Sequence, residues 1–174
     1  MLDRFRPHRL ARRLEEVDIA DLLARGVQGV ILDLDNTLTL WKSTAVTPAV
    51  VAWVTRLRAQ GLQACVLSNA AGARRVRVVA DALGLPWITR AGKPLPRGFR
   101  QAMTRMGTTP ETTVAIGDQV FTDVWGGNRL GLYTILLDPT SPHESWFTKL
   151  VQRNLERAIG RIAKDDAAPT AGAR

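Results

Sequence analysis

One cysteine, Cys65, is all that this 174-residue chain carries, so no disulfide can form within it. It lies in the apolar run Ala64-Cys65-Val66-Leu67, the setting of a small buried hydrophobe in a protein of a reducing compartment. No apolar stretch reaches the length of about 18 residues that a membrane-spanning helix needs. The charged first residues lack the apolar middle of a signal peptide, and a cytoplasmic location is the expectation. There is no internal repeat. What the chain does have is a core and an excess of positive charge. With 45% hydrophobic residues it is long enough for one well-filled domain and too short for two comfortable ones. Its net charge of +8 and pI near 10.9 imply attraction to polyanions. Arg4, Arg6, Arg9, Arg12 and Arg13 crowd the start, and Arg74, Arg75 and Arg77 form a second cluster. A solvated basic face is the competing explanation. Without aromatic residues interleaved among the arginines, nucleic acid is not the favoured partner.

Short apolar runs alternate with helical patterns. Strands are predicted at Val30–Leu34, Gln63–Leu67, Pro86–Thr89, Thr113–Ile116 and Tyr133–Leu137. Helices are predicted at Pro48–Gln60, Ala71–Leu83, Pro96–Met106 and Thr122–Leu130, with Gly61, Gly84, Gly107 and Gly131 as stop signals. Further amphipathic helices are read at Asp18–Arg25 and Ser145–Ile162. The fold class expected is α/β: a three-layer, doubly wound, parallel five-stranded sheet. Residues 1–17 read as a basic N-terminal extension, 18–163 as a single domain, and 164–174 as a disordered tail.

Ligands of such sheets bind at the carboxyl ends of the strands. The first predicted strand runs into Asp33-Leu34-Asp35-Asn36-Thr37, where two carboxylates two positions apart repel each other and favour a cation. The second ends at Ser68-Asn69, a hydroxyl and an amide entering a helix whose N–H groups favour an anion. Gly92-Lys93-Pro94 follows the third. The fourth ends at Gly117-Asp118, with Asp123 five residues on. Every one of these strand ends carries a group suited to phosphate or a divalent cation.

Residues 29–38, Leu67-Ser68-Asn69, Ala91-Gly92-Lys93-Pro94-Leu95-Pro96, the run from Ile116 to Arg129 and Asp138-Pro139 resemble, in this order, the haloacid dehalogenase (HAD) superfamily. Within it the chain is most similar to the capless YqeG-type IIIA phosphatases, a branch related to phosphatidylglycerophosphate phosphatases. The resemblance implies a HAD-like Rossmannoid fold and hydrolysis of a phosphate monoester through an aspartyl-phosphate. It implies Asp33 as nucleophile and Asp35 as acid and base. Mg2+ would be held by the carboxylates of Asp33 and Asp118 and the main-chain carbonyl of Asp35, with Asp123 on the metal side. Ser68, the Asn69 backbone and Thr37 would bind the phosphoryl oxygens, and Lys93 would offset negative charge. The chain departs from the family at Ala70-Ala71-Gly72, where more polar side chains are expected.

Simpler roles compete. Asp123 also suits a helix N-terminus, Ser68 a helix cap, Lys93 a solvated surface, and Asn128 and Arg129 a braced loop. The Gly92-Lys93 loop is not a Walker A motif, and Gly126-Gly127-Asn128-Arg129-Leu130-Gly131 lacks dinucleotide spacing. A response-regulator receiver combines similar residues in another strand order. The gaps from Asp35 to Ser68 and from Lys93 to Asp118 hold no cap domain, only a flap over Leu38–Thr47 in the first. Trp41 in this flap either walls the site or fills the core. An open site suits a bulky or surface-bound ester, or one enclosed by a second subunit, and the resemblance makes phosphatidylglycerophosphate the preferred candidate. A small sugar or nucleotide phosphatase, or a non-catalytic RNA- or ribosome-binding protein on the same scaffold, are the alternatives. The N-terminal arginines with Leu2, Phe5 and Leu10, and the predicted C-terminal helix with Trp146, Phe147, Leu150 and Leu155, suit transient contact with an anionic membrane surface. Packing of that helix on the domain is the competing reading.

Overall fold

A computed structural model of the protein describes residues 2–138. The helix read at Ser145–Ile162, the tail and Pro139 lie outside the described residues. The elements used below are β1 (Arg9–Ala11), α1 (Ile19–Ala24), β2 (Gly29–Leu32), α2 (Pro48–Ala59), β3 (Gln63–Leu67), α3 (Ala73–Leu83), β4 (Trp87–Ile88), α4 (Pro96–Met106), β5 (Thr113–Gly117), α5 (Gly126–Asn128) and β6 (Tyr133–Leu137). All six strands pair in parallel, in the order β1-β6-β5-β2-β3-β4. The chain winds outward from β2 to one edge and then to the other, which leaves the reversal of strand order between β2 and β5.

The sheet is covered on both sides because its central strands are apolar on both sides. In β2, Val30 and Leu32 pack with Val50, Trp53, Val54 and Leu57 of α2 and with Val76, Val79 and Leu83 of α3. Ile31 points the opposite way, as the two-residue period of a strand requires, and meets Phe99, Ala102, Met103 and Met106 of α4. This is the three-layer arrangement expected. Cys65 belongs to the α4 layer, is fully buried, and has its thiol pushed up to about 11 by burial, so it is a core hydrophobe. α2 starts with Pro48 behind the Thr47 cap, whose hydroxyl accepts from the Val50 amide. α3 and α4 stop at Gly84 and Gly107, both left-handed, where any other residue would carry a steric penalty.

The structure corrects the strand count from five to six. β1 is three residues long and surrounded by arginines, too short to show alternation. It joins only β6, through Arg9↔Ile135 to Ala11↔Leu137, as an edge strand with Leu10 facing out. Arg9 is drawn into place by Asp21 at 2.8 Å, and Leu14 and Val17 follow it into the core. The helix expected at Thr122–Leu130 is also different. A wide helical turn over Val120–Trp125, in which the Val124 amide reaches back five residues to the Gln119 carbonyl, is followed by the short α5. Trp41 is not a core residue: it is half exposed on the flap. Between Asp35 and Ser68 the chain holds only the flap, α2 and β3, and between Lys93 and Asp118 only α4, one short helical turn and β5, so neither gap contains a cap domain.

Candidate active site

β2 continues its pairing one step beyond Leu32, where the Asp33 amide donates to the Ile116 carbonyl at 3.0 Å. The chain then turns sharply. Asn36 adopts φ 55°, a left-handed conformation that asparagine tolerates well, and its amide donates to the Thr39 carbonyl at 2.7 Å. The Asn36 side chain crosses to the end of β5 and donates to Asp118 Oδ2 at 3.0 Å. Thr37 is buried in the same turn, with a hydroxyl that has no hydrogen-bond partner among the described residues. A phosphoryl oxygen is one acceptor that such a hydroxyl suits.

Lys93 enters from the opposite side. Its Nζ donates to Asp33 Oδ1 at 2.5 Å and to Asp123 Oδ1 at 2.6 Å, with all three side chains buried. The other oxygen of Asp123 accepts from the Gln119 amide at 3.2 Å. Asn69 fixes the lysine loop: its side chain donates to the Lys93 carbonyl at 2.9 Å and accepts from the Lys93 amide at 2.7 Å. The side chain thus braces Lys93, and only its backbone remains for phosphate. Ser68 is buried and its Oγ accepts from the Ala70 amide at 3.1 Å, which leaves the hydroxyl proton available to an oxyanion. The surface reading of Lys93 does not describe this buried position, whereas Asp123 lies in the first turn of the helical segment after Gln119, so its helix-terminus role coexists with its contact to Lys93.

Burial dominates the electrostatics of Asp33. It pushes the carboxyl up to about 6 against the opposing pull of Lys93, while the nearby Asp123 charge adds to the rise. Burial also disfavours the Lys93 ammonium, but Asp123 and Asp33 outweigh it and hold the lysine above its usual value. Carboxylate oxygens of Asp33, Asp118 and Asp123 lie within 4.8 Å of one another. Asp33 and Asp123 share one ammonium, which leaves negative charge between them, and the all-oxygen donor set that they form with Asp118 suits a hard divalent cation. These residues therefore fit such a metal. The Asp35 carboxylate is not part of the cluster. It is gripped by Arg75 of α3, with Nη1–Oδ1 at 2.7 Å and Nη2–Oδ2 at 2.5 Å. Asn36, the Asn69 side chain and Arg75 are the site residues that reading the sequence missed. The position of Arg75 in the first turn of a helix leaving a strand end was the available signal for it.

Gly117 explains how Asp123 comes so near the sheet. A Cβ at Gly117 would stand 2.3 Å from Asp123 Oδ2 and 2.4 Å from its Cγ. Gly117→Ala is accordingly expected to expel Asp123 from the cluster, losing about tenfold or more in turnover and in divalent-cation affinity. Titration of the purified variant with metal, followed by thermal shift, checks this against wild type.

Carboxylates, a lysine, hydroxyls and backbone amides gathered at the strand ends of a doubly wound sheet define a phosphate-handling α/β enzyme. The chain belongs to the haloacid dehalogenase-like hydrolase family, whose family model matches residues 6–131, and it is a phosphatase. It is 36% identical over 155 residues to the probable phosphatase YqeG of Bacillus subtilis, covering 89% of each chain. Phosphatidylglycerophosphate phosphatase 1 of Arabidopsis thaliana is 30% identical over 161 residues, which span 88% of this chain and 46% of the plant protein. Among solved structures, an uncharacterized protein of Listeria monocytogenes superposes with a TM-score of 0.57 at 18% identity, over 67% of this chain and 80% of that one. The 3-deoxy-D-manno-octulosonate 8-phosphate phosphatase of Yersinia pestis gives 0.54 at 14% identity, over 71% of each. These two likenesses concern the fold alone.

Proposed function

We propose that this phosphatase is magnesium-dependent, works through an aspartyl-phosphate, and acts on a phosphate monoester too bulky to be enclosed, with phosphatidylglycerophosphate as its substrate. The observation that carries the reading is the buried Asp33, held beside Lys93, Asp118 and Asp123 at strand ends that no cap covers among the described residues. An oxygen of Asp33 attacks phosphorus in line. The ester P–O bond breaks with its electron pair on the leaving oxygen, which takes a proton from Asp35. Water then attacks phosphorus and gives a proton to Asp35. The bond to Asp33 breaks, its pair returns to the carboxylate, and inorganic phosphate leaves. Magnesium, when bound by Asp33, Asp118 and Asp123 and the Asp35 carbonyl, supplies positive charge against the phosphoryl oxygens. Lys93 adds to that charge, while Ser68, Thr37 and the Asn69 backbone orient the group.

Support for a lipid comes from the rim. Leu40 (62% exposed), Trp41 (51%), Leu95 (60%) and Phe121 (48%) all lie on segments that leave the carboxyl ends of strands. Large apolar side chains exposed on these segments, together with the basic charge, suit a transient stay on an anionic bilayer, which supports reading this as a cytoplasmic protein that visits the inner membrane surface. With its buried acids and lysine complete, the site favours turnover over an RNA- or ribosome-binding role, and its openness disfavours small sugar and nucleotide phosphates. In a phosphate-release screen with Mg2+, phosphatidylglycerophosphate in mixed micelles should exceed soluble sugar and nucleotide phosphates by about tenfold in kcat/KM, and chelator should abolish release. Equal or faster turnover of the soluble esters would sink the lipid assignment. Release that persists in chelator would sink the metal.

A further inference from the structure

We infer that Arg75 is a positioning residue that holds Asp35 away from the reacting ester until an anionic group on the substrate's leaving portion takes the guanidinium in its place. The inference rests on the role of Asp35 proposed above. Both Asp35 oxygens sit in the arginine fork, at 2.7 and 2.5 Å. The same guanidinium donates to the Ser43 carbonyl at 3.3 Å, and the Lys42 amide lies 3.4 Å from Asp35 Oδ1. Asp35, the flap and α3 are thereby tied together. Held by the fork and the Lys42 amide, the Asp35 side chain is fixed to α3 and the flap, so moving it onto a leaving group requires the pair to open.

A guanidinium fork matches phosphate as well as it matches carboxylate. Arg75 also borders an open cleft of 600 Å3, lined with it by Thr44, Ala70, Gly72, Arg74 and Val78. Two cations and no acid line that cleft. The first turn of α3 bears these two arginines beside the positive end of the helix, with no acidic side chain and no side-chain cap. An anion entering the cleft meets that unbalanced charge and competes with Asp35 for it. Because Arg75 both grips Asp35 and lines the cleft, an ester whose leaving portion carries an anion would engage the cleft and Asp33 as one molecule. The substrate class is a phosphomonoester whose alcohol carries a second phosphate-type anion.

Three esters test this: propyl phosphate, propane-1,3-diyl bisphosphate counted per ester group, and p-nitrophenyl phosphate, whose leaving group departs without a proton. Wild type should prefer the bisphosphate to propyl phosphate by about tenfold or more in kcat/KM. In Arg75→Gln that preference should fall to about twofold or less, while kcat for propyl phosphate rises relative to p-nitrophenyl phosphate because Asp35 is released. Arg75→Lys keeps the charge without the fork and should recover part of the preference. Taking each ratio within one variant cancels any general loss of folded protein. Ratios unchanged from wild type in both variants would overturn the inference, as would a wild type that shows no preference. Asp33→Asn tests the underlying reading separately: if it hydrolyses the esters as wild type does, the site assignment fails whatever Arg75 does.

Discussion

Asp33→Asn should leave phosphate-ester turnover reduced by about a thousandfold or more, and should at the same time stabilise the metal-free protein. The first effect follows from chemistry, since an amide oxygen does not form the acyl-phosphate that a carboxylate forms. The second follows from charge. Asp33 is buried and shares the Lys93 ammonium with Asp123, and burial pushes its carboxyl from 3.8 up to about 6. The folded state therefore keeps this proton to higher pH than the unfolded chain does. The group's contribution to stability is highest below about pH 4, falls as pH rises towards about 6, and stays low above that. A rise of this size corresponds to a penalty on the order of 3 kcal/mol at neutral pH. Asparagine is of the same shape and carries no such penalty. In chelator at pH 7.5 the variant should melt a few degrees above wild type, and the gap should close as pH falls towards 4.5. Added Mg2+ should raise the melting temperature of wild type more than that of the variant, because the variant has lost one metal carboxylate. Turnover within tenfold of wild type would sink the nucleophile assignment. A variant less stable than wild type in chelator would sink the charge argument.

Which parts of this site can be read in advance depends on whether a residue's neighbours lie near it in sequence pattern. Asp33, Ser68 and Asp118 were legible because each follows an apolar run that can only be a buried strand, and strand ends of a parallel sheet converge on one edge. Asp123 and Lys93 were legible through the family pattern, and the hydrogen bonds between them supply the reason for their spacing. β1 was not legible: three residues among arginines carry no period, and only pairing with β6 makes them a strand. The wide turn at Val120–Trp125 was hidden because a helical hydrophobic pattern does not distinguish a fifth-residue hydrogen bond from a fourth. Arg75 was read as one member of a basic cluster. Its pairing with Asp35 spans forty positions and depends on how α3 leaves the Ser68 loop, which local pattern does not record. Trp41 was ambiguous for a related reason, since an aromatic residue on a short flap has no neighbours in sequence that decide which way it faces.

Lys93→Met should be the most destabilising single change in the site. It removes the ammonium that bridges Asp33 and Asp123 and leaves their carboxylates buried without it, a loss of about 3–5 kcal/mol in the metal-free protein at neutral pH. The lysine is held above its usual value by Asp123 and Asp33 in spite of burial. Its contribution is thus fully present below the unfolded lysine value of about 10.5 and is lost only at higher pH. Any pH dependence of the defect between 5 and 8 must therefore come from the carboxylates. Without the lysine, Asp33 is more easily protonated, so the defect should shrink as pH is lowered to 5. Divalent cation should restore part of the stability, because it supplies the missing positive charge to the same oxygens. It should not restore turnover, which is expected to stay about a hundredfold or more below wild type since the charge of Lys93 on the transferring group is absent. Thermal melts at pH 5 and 7.5, with chelator and with Mg2+, read all of these. A variant that melts with wild type at pH 7.5 in chelator would mean that the buried carboxylates do not depend on Lys93, and the electrostatic account of the cluster would fall with it.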